Sequence, residues 1–126
     1  MTACPFCSMP EARVILQNET AVAVRDTFPV SAGHILVVPR RHVVSIFDLE
    51  NVEHEALWLL VREARDKLYN ESAPHGFNIG INDGAVAGQT IMHAHVHVIP
   101  RWRGDVEDPR GGIRHVIPGK AEYWKQ

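Results

Sequence analysis

Residues 90–101, TIMHAHVHVIPR, set a histidine at every second position three times, as His93, His95 and His97. On a β-strand successive side chains point to opposite faces. The three imidazoles then share one face, and Ala94, Val96 and Val98 fill the other against a core. Same-face neighbours lie roughly 6.5–7 Å apart at Cα, so three rings can converge on one small ligand. Such a row fits a metal site, a nucleophile aimed at phosphorus, or polar side chains on a wet face. Spacing alone does not separate the first two.

Working outward, residues 89–101 form the longest strand candidate. FNIGIND (77–83) is a short alternating strand, and GAVAG (84–88) is a glycine-punctuated loop. Apolar, β-branched HILVVP (34–39) reads as a central strand ending at Pro39, which cannot donate to a ladder. ARVILQN and TAVAVRD flank Glu19 and predict a hairpin over residues 12–26, followed by a loop over 27–33. Asp48 or Asn51 is placed to cap a helix reaching about Leu68. Along it Leu57, Leu60, Val61, Ala64 and Leu68 recur at helical spacing, while Glu55, Arg62 and Asp66 turn away. Trp58 and Leu59 broaden that apolar face, so the helix is either deeply buried or meets a second copy of the chain, and the second reading is favoured. Gly76 is expected to end the helical region.

The tail, residues 102–126, has four glycines and two prolines and must dock to be ordered. Together these elements predict an α+β fold: an antiparallel sheet of about five strands, one long helix and a short one. We expect a single domain over 1–126, with residues 1–11 as an N-terminal segment.

The 126 residues suffice for one domain with its own core. With 45% hydrophobic and 22% charged residues, the composition is that of a globular protein. A net charge of −2 argues against a general nucleic-acid binder but not against a small anionic ligand. MTACPFCSMP is not patterned as a signal peptide, and no apolar run approaches the roughly 20 residues of a membrane span. Two cysteines, Cys4 and Cys7, are too few for a disulfide framework. The expectation is a cytoplasmic protein.

Context favours phosphate. NDGAVAGQT (82–90) brings backbone N–H groups to the start of the histidine row, as phosphate-binding loops do. Gln89 and Thr90 add side-chain donors there. No carboxylate of the kind a zinc hydrolase uses as base or ligand lies between Gly84 and Arg101.

HAHVHVI resembles the His-φ-His-φ-His-φ-φ signature of the histidine triad family of nucleotide hydrolases and transferases, φ being apolar. SAGHILVVPRRHV looks like the family segment that carries a fourth active-site histidine, and NDGAVAGQT looks like its glycine loop. The resemblance spans most of residues 26–101. It implies a substrate with a nucleoside on an α-phosphate, His95 as nucleophile, and a nucleotidyl-imidazole that water releases as a nucleoside monophosphate. His97 and His34 would hydrogen-bond the non-bridging and leaving-group oxygens, with Gln89, Thr90 and Gly88 beside the scissile bond. Asp26 matches the position that binds the ribose hydroxyls, and Asn82 supports sugar or phosphate. The chemistry is expected to need no added divalent ion, although magnesium can accompany a polyphosphate. A homodimer is implied.

The CPFC pair is by itself ambiguous between zinc, a redox pair and two buried thiols. The resemblance adds two ligands, so Cys4, Cys7, His42 and His93 would hold a structural zinc. His54, His75 and His115 receive no role.

IPR after the triad and the GD beyond it resemble the fragile-histidine-triad branch, which hydrolyses dinucleoside polyphosphates. Some of Arg101, Arg103, Arg110 and Arg114 would then meet the outer phosphates or the leaving nucleotide, the alternative being a solvated, turn-rich segment. Asp26 resembles instead the branch that hydrolyses nucleoside phosphoramidates, and that is the alternative activity. The non-enzymatic alternative is a nucleotide-binding adaptor with incidental turnover.

Overall fold

A computed structural model describes residues 4–125. The first three positions of the expected N-terminal segment, and the last of the tail, lie outside the described residues. Five strands form one antiparallel sheet: β1 (Val14–Gln17), β2 (Ala21–Arg25), β3 (Ile35–Pro39), β4 (Gly76–Gly80) and β5 (Val96–Arg101), in the order β1-β2-β3-β5-β4. One helix, α1 (Asn51–Ser72), packs on it. The expected short helix is present only as 3-10 turns, among them Gly112–Val116 in the tail.

The hairpin arises where expected. Asn18 turns the chain with its side-chain oxygen, which accepts from the backbone N–H of Thr20 and Ala21 at 3.2 and 2.9 Å. Strand β3 lies in the middle of the sheet and is buried along its whole length. Alternation gives the sheet two apolar faces. Ala21, Ala23, Ile35, Val37, Val96 and Val98 meet the helix. Val22, Val24, Leu36 and Val38 lie on the opposite face, covered in part by Phe6.

Helix α1 buries the five predicted residues, Leu57, Leu60, Val61, Ala64 and Leu68. Its boundaries differ from expectation. Glu50, not Asp48 or Asn51, is the N-cap, because Glu50 and Glu53 form a reciprocal capping box. At the other end the helix stops at Ser72, ahead of Gly76. Ala73 adopts a left-handed conformation and Pro74 follows it, which no helix continues through. Gly76 instead opens β4.

The larger correction concerns residues 89–95, which are not strand. Gln89 is buried, and its side-chain amide donates to the carbonyls of Val44 (2.9 Å) and Ile91 (3.0 Å). Ala94 N–H bonds Val43 O at 2.7 Å. This segment is tied to residues 43–44 rather than to a sheet neighbour, so β5 begins only at Val96. Of the three histidines only His97 is in the ladder.

Candidate active site

Across the sheet, Val14, Val24, Leu36, His97 and Gly80 are successive register partners on the five strands. His97 therefore lies between an apolar strip on one side and a glycine on the other. Beside it, the ring of His95 is 5.0 Å from that of His97. The ring of His93 is turned instead toward His42, at 4.9 Å. One alternating row has become two sites.

Backbone groups assign the proton on each ring. His95 Nδ1 lies 2.9 Å from the carbonyl oxygen of His93. A carbonyl only accepts, so Nδ1 carries the hydrogen and Nε2 of the neutral ring keeps a lone pair. The reverse holds at His34, which is 2% exposed. There Val30 N–H donates to Nδ1 at 3.1 Å, so Nε2 carries the hydrogen. That Nε2 lies 3.0 Å from His97 Nδ1 and donates to it. His97 in turn is left with an N–H at Nε2. The site thus holds a nucleophile-competent imidazole beside a donor-competent one.

Burial pushes the pKa of His97 down to about 4, with His95 and His34 adding to the shift and Asp26 opposing it. His34 is lowered by the same cause, again against Asp26. Both rings are neutral at pH 7.

Asp26 sits just beyond β2. Its Oδ1 accepts from Phe28 N–H at 2.8 Å, and Oδ2 lies 3.5 Å from His34 Nε2. One oxygen thus holds the 26–28 turn while the other is turned to the histidines. Asn82 and Thr90 are exposed. Gly88, at φ 103°, makes a turn that L side chains rarely adopt, and a Cβ there would lie 3.7 Å from the Asn82 side chain.

Gln89 departs from its expected role as a donor to substrate. Both amide hydrogens are used, and Oε1 accepts from Gly84 N–H at 2.9 Å. It braces the glycine loop from inside. Three of the tail arginines have partners within the chain. Arg101 is paired with Asp105 and Asn78. Arg110 pairs with Asp108 and stacks on Trp124, and Arg114 stacks on Tyr123.

The second site gathers Cys4, Cys7, His42 and His93, whose ligand atoms all lie within 4.8 Å of one another. Cys4 Sγ is 3.4 Å and Cys7 Sγ 3.6 Å from His93 Nδ1. Cys7 Sγ is 3.1 Å, and His93 Nδ1 3.2 Å, from His42 Nδ1. Ligands of a tetrahedral zinc are separated by roughly 3.3–3.8 Å, so the set fits the ion. His93 Nε2 donates to Pro39 O at 2.7 Å, which leaves Nδ1 its lone pair for a metal. Asp26, His34 and His97 also lie close enough to hold an ion. There the Val30 N–H occupies Nδ1 of His34 and keeps the proton on the inward nitrogen, so that trio is built to pass hydrogen bonds.

A family model described as the HIT domain matches residues 9–104. The chain belongs to the HIT domain family. An AP-4-A phosphorylase of Mycobacterium tuberculosis is 40% identical to this HIT protein over 105 residues, 82% of this chain and 54% of the relative. A bis(5'-adenosyl)-triphosphatase of Dictyostelium discoideum is 34% identical over 98 residues, 78% of this chain and 66% of the relative. The chain thus spans about half the length of the phosphorylase relative. Among solved structures, a Zn-bound histidine triad family protein of Mycobacterium smegmatis is 31% identical with a TM-score of 0.74, covering 82% of this chain and 78% of that one. The names of the mycobacterial phosphorylase and the Dictyostelium triphosphatase fall on the dinucleoside polyphosphate side of the family, the side indicated by IPR and GD. No helix among the described residues is long and apolar enough to cross a membrane.

Two features of the site escaped the sequence reading. Phe6 contacts both His93 and His95, and its only sequence signal is its place between the two cysteines. The Val30 backbone N–H has none, because a main-chain donor in a seven-residue loop leaves no trace in residue type.

Proposed function

We propose that this HIT protein cleaves dinucleoside polyphosphates at the α-phosphate through a nucleotidyl-His95 intermediate. The observation that carries the reading is the His95 Nδ1 to His93 O bond, which puts the hydrogen on Nδ1 so that in the neutral ring Nε2 is the nitrogen with the lone pair, beside His97. Nε2 forms a bond to phosphorus as the bond to the leaving oxygen breaks, and the His97 Nε2–H donates a hydrogen bond that stabilises the charge developing on that oxygen. His34 holds His97 in the tautomer that can do so. Asp26 binds the ribose, and the loop of Asn82, Gly88 and Thr90 receives phosphate oxygens through backbone and side-chain donors. A second nucleophile then breaks the P–N bond and frees His95.

Water as that nucleophile yields a nucleoside monophosphate. The name of the mycobacterial relative favours a second reading, in which inorganic phosphate is the acceptor and a nucleoside diphosphate forms. Rapid quench of the protein with diadenosine tetraphosphate, followed by intact-mass analysis, tests the intermediate. The mass is expected to rise by one adenylyl group, and burst kinetics without that adduct exclude it. Running the reaction with and without phosphate separates AMP from ADP as product. Turnover of an adenosine phosphoramidate in preference to both would move the protein to the other branch. Tight nucleotide binding without turnover would make it an adaptor.

Cys4, Cys7, His42 and His93 are assigned a structural zinc, supported by their ligand spacing and by the Zn-bound relative. About one zinc per chain in protein purified without a polyhistidine tag is expected, and a value near zero dismisses the ion. The outward-facing Trp58 and Leu59, 38% and 60% exposed, are assigned to a homodimer contact. Light scattering after gel filtration checks it. A clean monomer at micromolar concentration rejects it.

A further inference from the structure

We infer that Phe6 is a positioning residue that clamps the ring of the nucleophile and ties its orientation to the four-ligand cluster. The inference rests on the assignment of His95 as nucleophile. Phe6 is 7% exposed and belongs to the apolar cluster of Val22, Val24, Leu36 and Val38. Its ring meets that of His95 edge-to-face at 5.1 Å and that of His93 at 5.7 Å. The imidazole of His95 is therefore held on three sides. Phe6 packs one side, the His97 ring stands 5.0 Å away on another, and the Nδ1 hydrogen bond fixes the edge.

Only the last of these restraints sets the tautomer, and a single hydrogen bond leaves the ring free to rock about it. A packed aromatic neighbour removes that freedom at little entropic cost, having only two side-chain torsions of its own to fix. Misdirection of a reacting atom by about 1 Å can cost ~10²-fold in rate, so the restraint acts on kcat.

The position of Phe6 is set by its neighbours in sequence. It lies inside the turn closed by Cys7 N–H on Cys4 O at 3.2 Å, and both cysteines face His93. Whatever draws Cys4, Cys7, His42 and His93 together also presses Phe6 onto His95. The thiols are not needed for the chemistry, yet their geometry is transmitted to it through one side chain.

The test compares Phe6→Ala and Phe6→Leu with the parent protein. Steady-state kinetics use diadenosine tetraphosphate, and ring-¹⁵N NMR of His95 is recorded on the substrate-free protein with zinc content measured in each sample. Phe6→Ala is expected to lose at least tenfold in kcat with KM within about twofold, and Phe6→Leu to recover most of that loss. The His95 ring signals should broaden or shift in Phe6→Ala while zinc stays bound. Unchanged kcat with unchanged ring signals overturns the inference. So does a rise in KM alone, which would make Phe6 a wall of the substrate pocket. If Phe6→Ala fails to fold, the kcat, KM and ring signals of Phe6→Leu decide by the same criteria. If the parent protein turns over nothing, the functional assignment fails on its own, and the NMR comparison still decides whether Phe6 holds the ring.

Discussion

His34 and His97, 63 positions apart in sequence, share one hydrogen bond of 3.0 Å between Nε2 and Nδ1. The bond has a direction, since the Val30 N–H already fills His34 Nδ1. His34 can only donate and His97 can only accept at that contact. The outer nitrogen of His97 is thereby made a donor while that of His95 is kept an acceptor. Two identical side chains, two residues apart, acquire opposite roles from main-chain groups.

Replacing the acceptor removes the chemistry. His95→Ala is expected to keep its fold, because the ring precedes β5 and packs on Phe6, outside the helix-side core. The kcat should drop by about a thousandfold or more, as when other covalent nucleophiles are deleted. Circular dichroism and turnover of diadenosine tetraphosphate check both halves. Near-normal turnover would remove the covalent route.

The histidines also make stability depend on pH in a definite sense. The pKa of His97 is about 4 in the folded chain against roughly 6.5 when unfolded, and burial lowers those of His34 and His93 in the same direction. Between these values the unfolded state binds more protons than the folded one. The stability these neutral rings represent is therefore fully present above about pH 6.5 and is lost as pH falls toward 4. Urea denaturation at pH 7, 5.5 and 4.5 should show a falling midpoint. His97→Asn, which cannot titrate, should show a shallower fall. An equal slope in both proteins would assign the effect elsewhere.

Much of this architecture was legible from residue pattern. Ile35–Pro39 could be placed at the sheet centre because an unbroken β-branched run has no polar face to offer water. The buried stripe of α1 followed from helical periodicity. What could not be read were features set by contacts distant in sequence. The strand register of His93 and His95 is overridden by Gln89, whose amide reaches a carbonyl 45 positions away. The helix cap went to a glutamate, a residue type seldom favoured there, because Glu53 could answer it. That Cys4, Cys7, His42 and His93 come together, and that His34 meets His97, could be named in advance, but not the directions of their hydrogen bonds.

Gln89 offers a separate check. Three main-chain groups depend on its side chain: Gly84 N–H and the carbonyls of Val44 and Ile91. Gln89→Ala leaves them without that partner in a partly buried setting, where each such group costs about 1–3 kcal/mol unless water reaches it. A loss of at least ~2 kcal/mol in chemical denaturation is expected, with lower activity following from a loosened loop. Lower activity at unchanged stability would instead mean that the amide is free to touch substrate.

The glycine opposite His97 bears on substrate size. Gly80 pairs with His97 in register, its φ lies outside the left-handed region, and a Cβ built on it meets nothing within 4 Å. Neither backbone strain nor crowding requires a glycine there, and in a strand a glycine usually weakens the fold. Asp26 and His34 lie on the β3 side of His97, so with the ribose held by Asp26 as proposed, a leaving group would extend over Gly80. Gly80→Val should therefore keep or slightly raise the melting temperature, as expected when unfolded-chain entropy is reduced. It should lower kcat/KM for diadenosine tetraphosphate by about tenfold, which corresponds to ~1.4 kcal/mol in transition-state binding. With a substrate whose leaving group is a small amine, the same variant should lose less than threefold. Equal losses on both substrates would place the transferred nucleotide, rather than the leaving group, over Gly80.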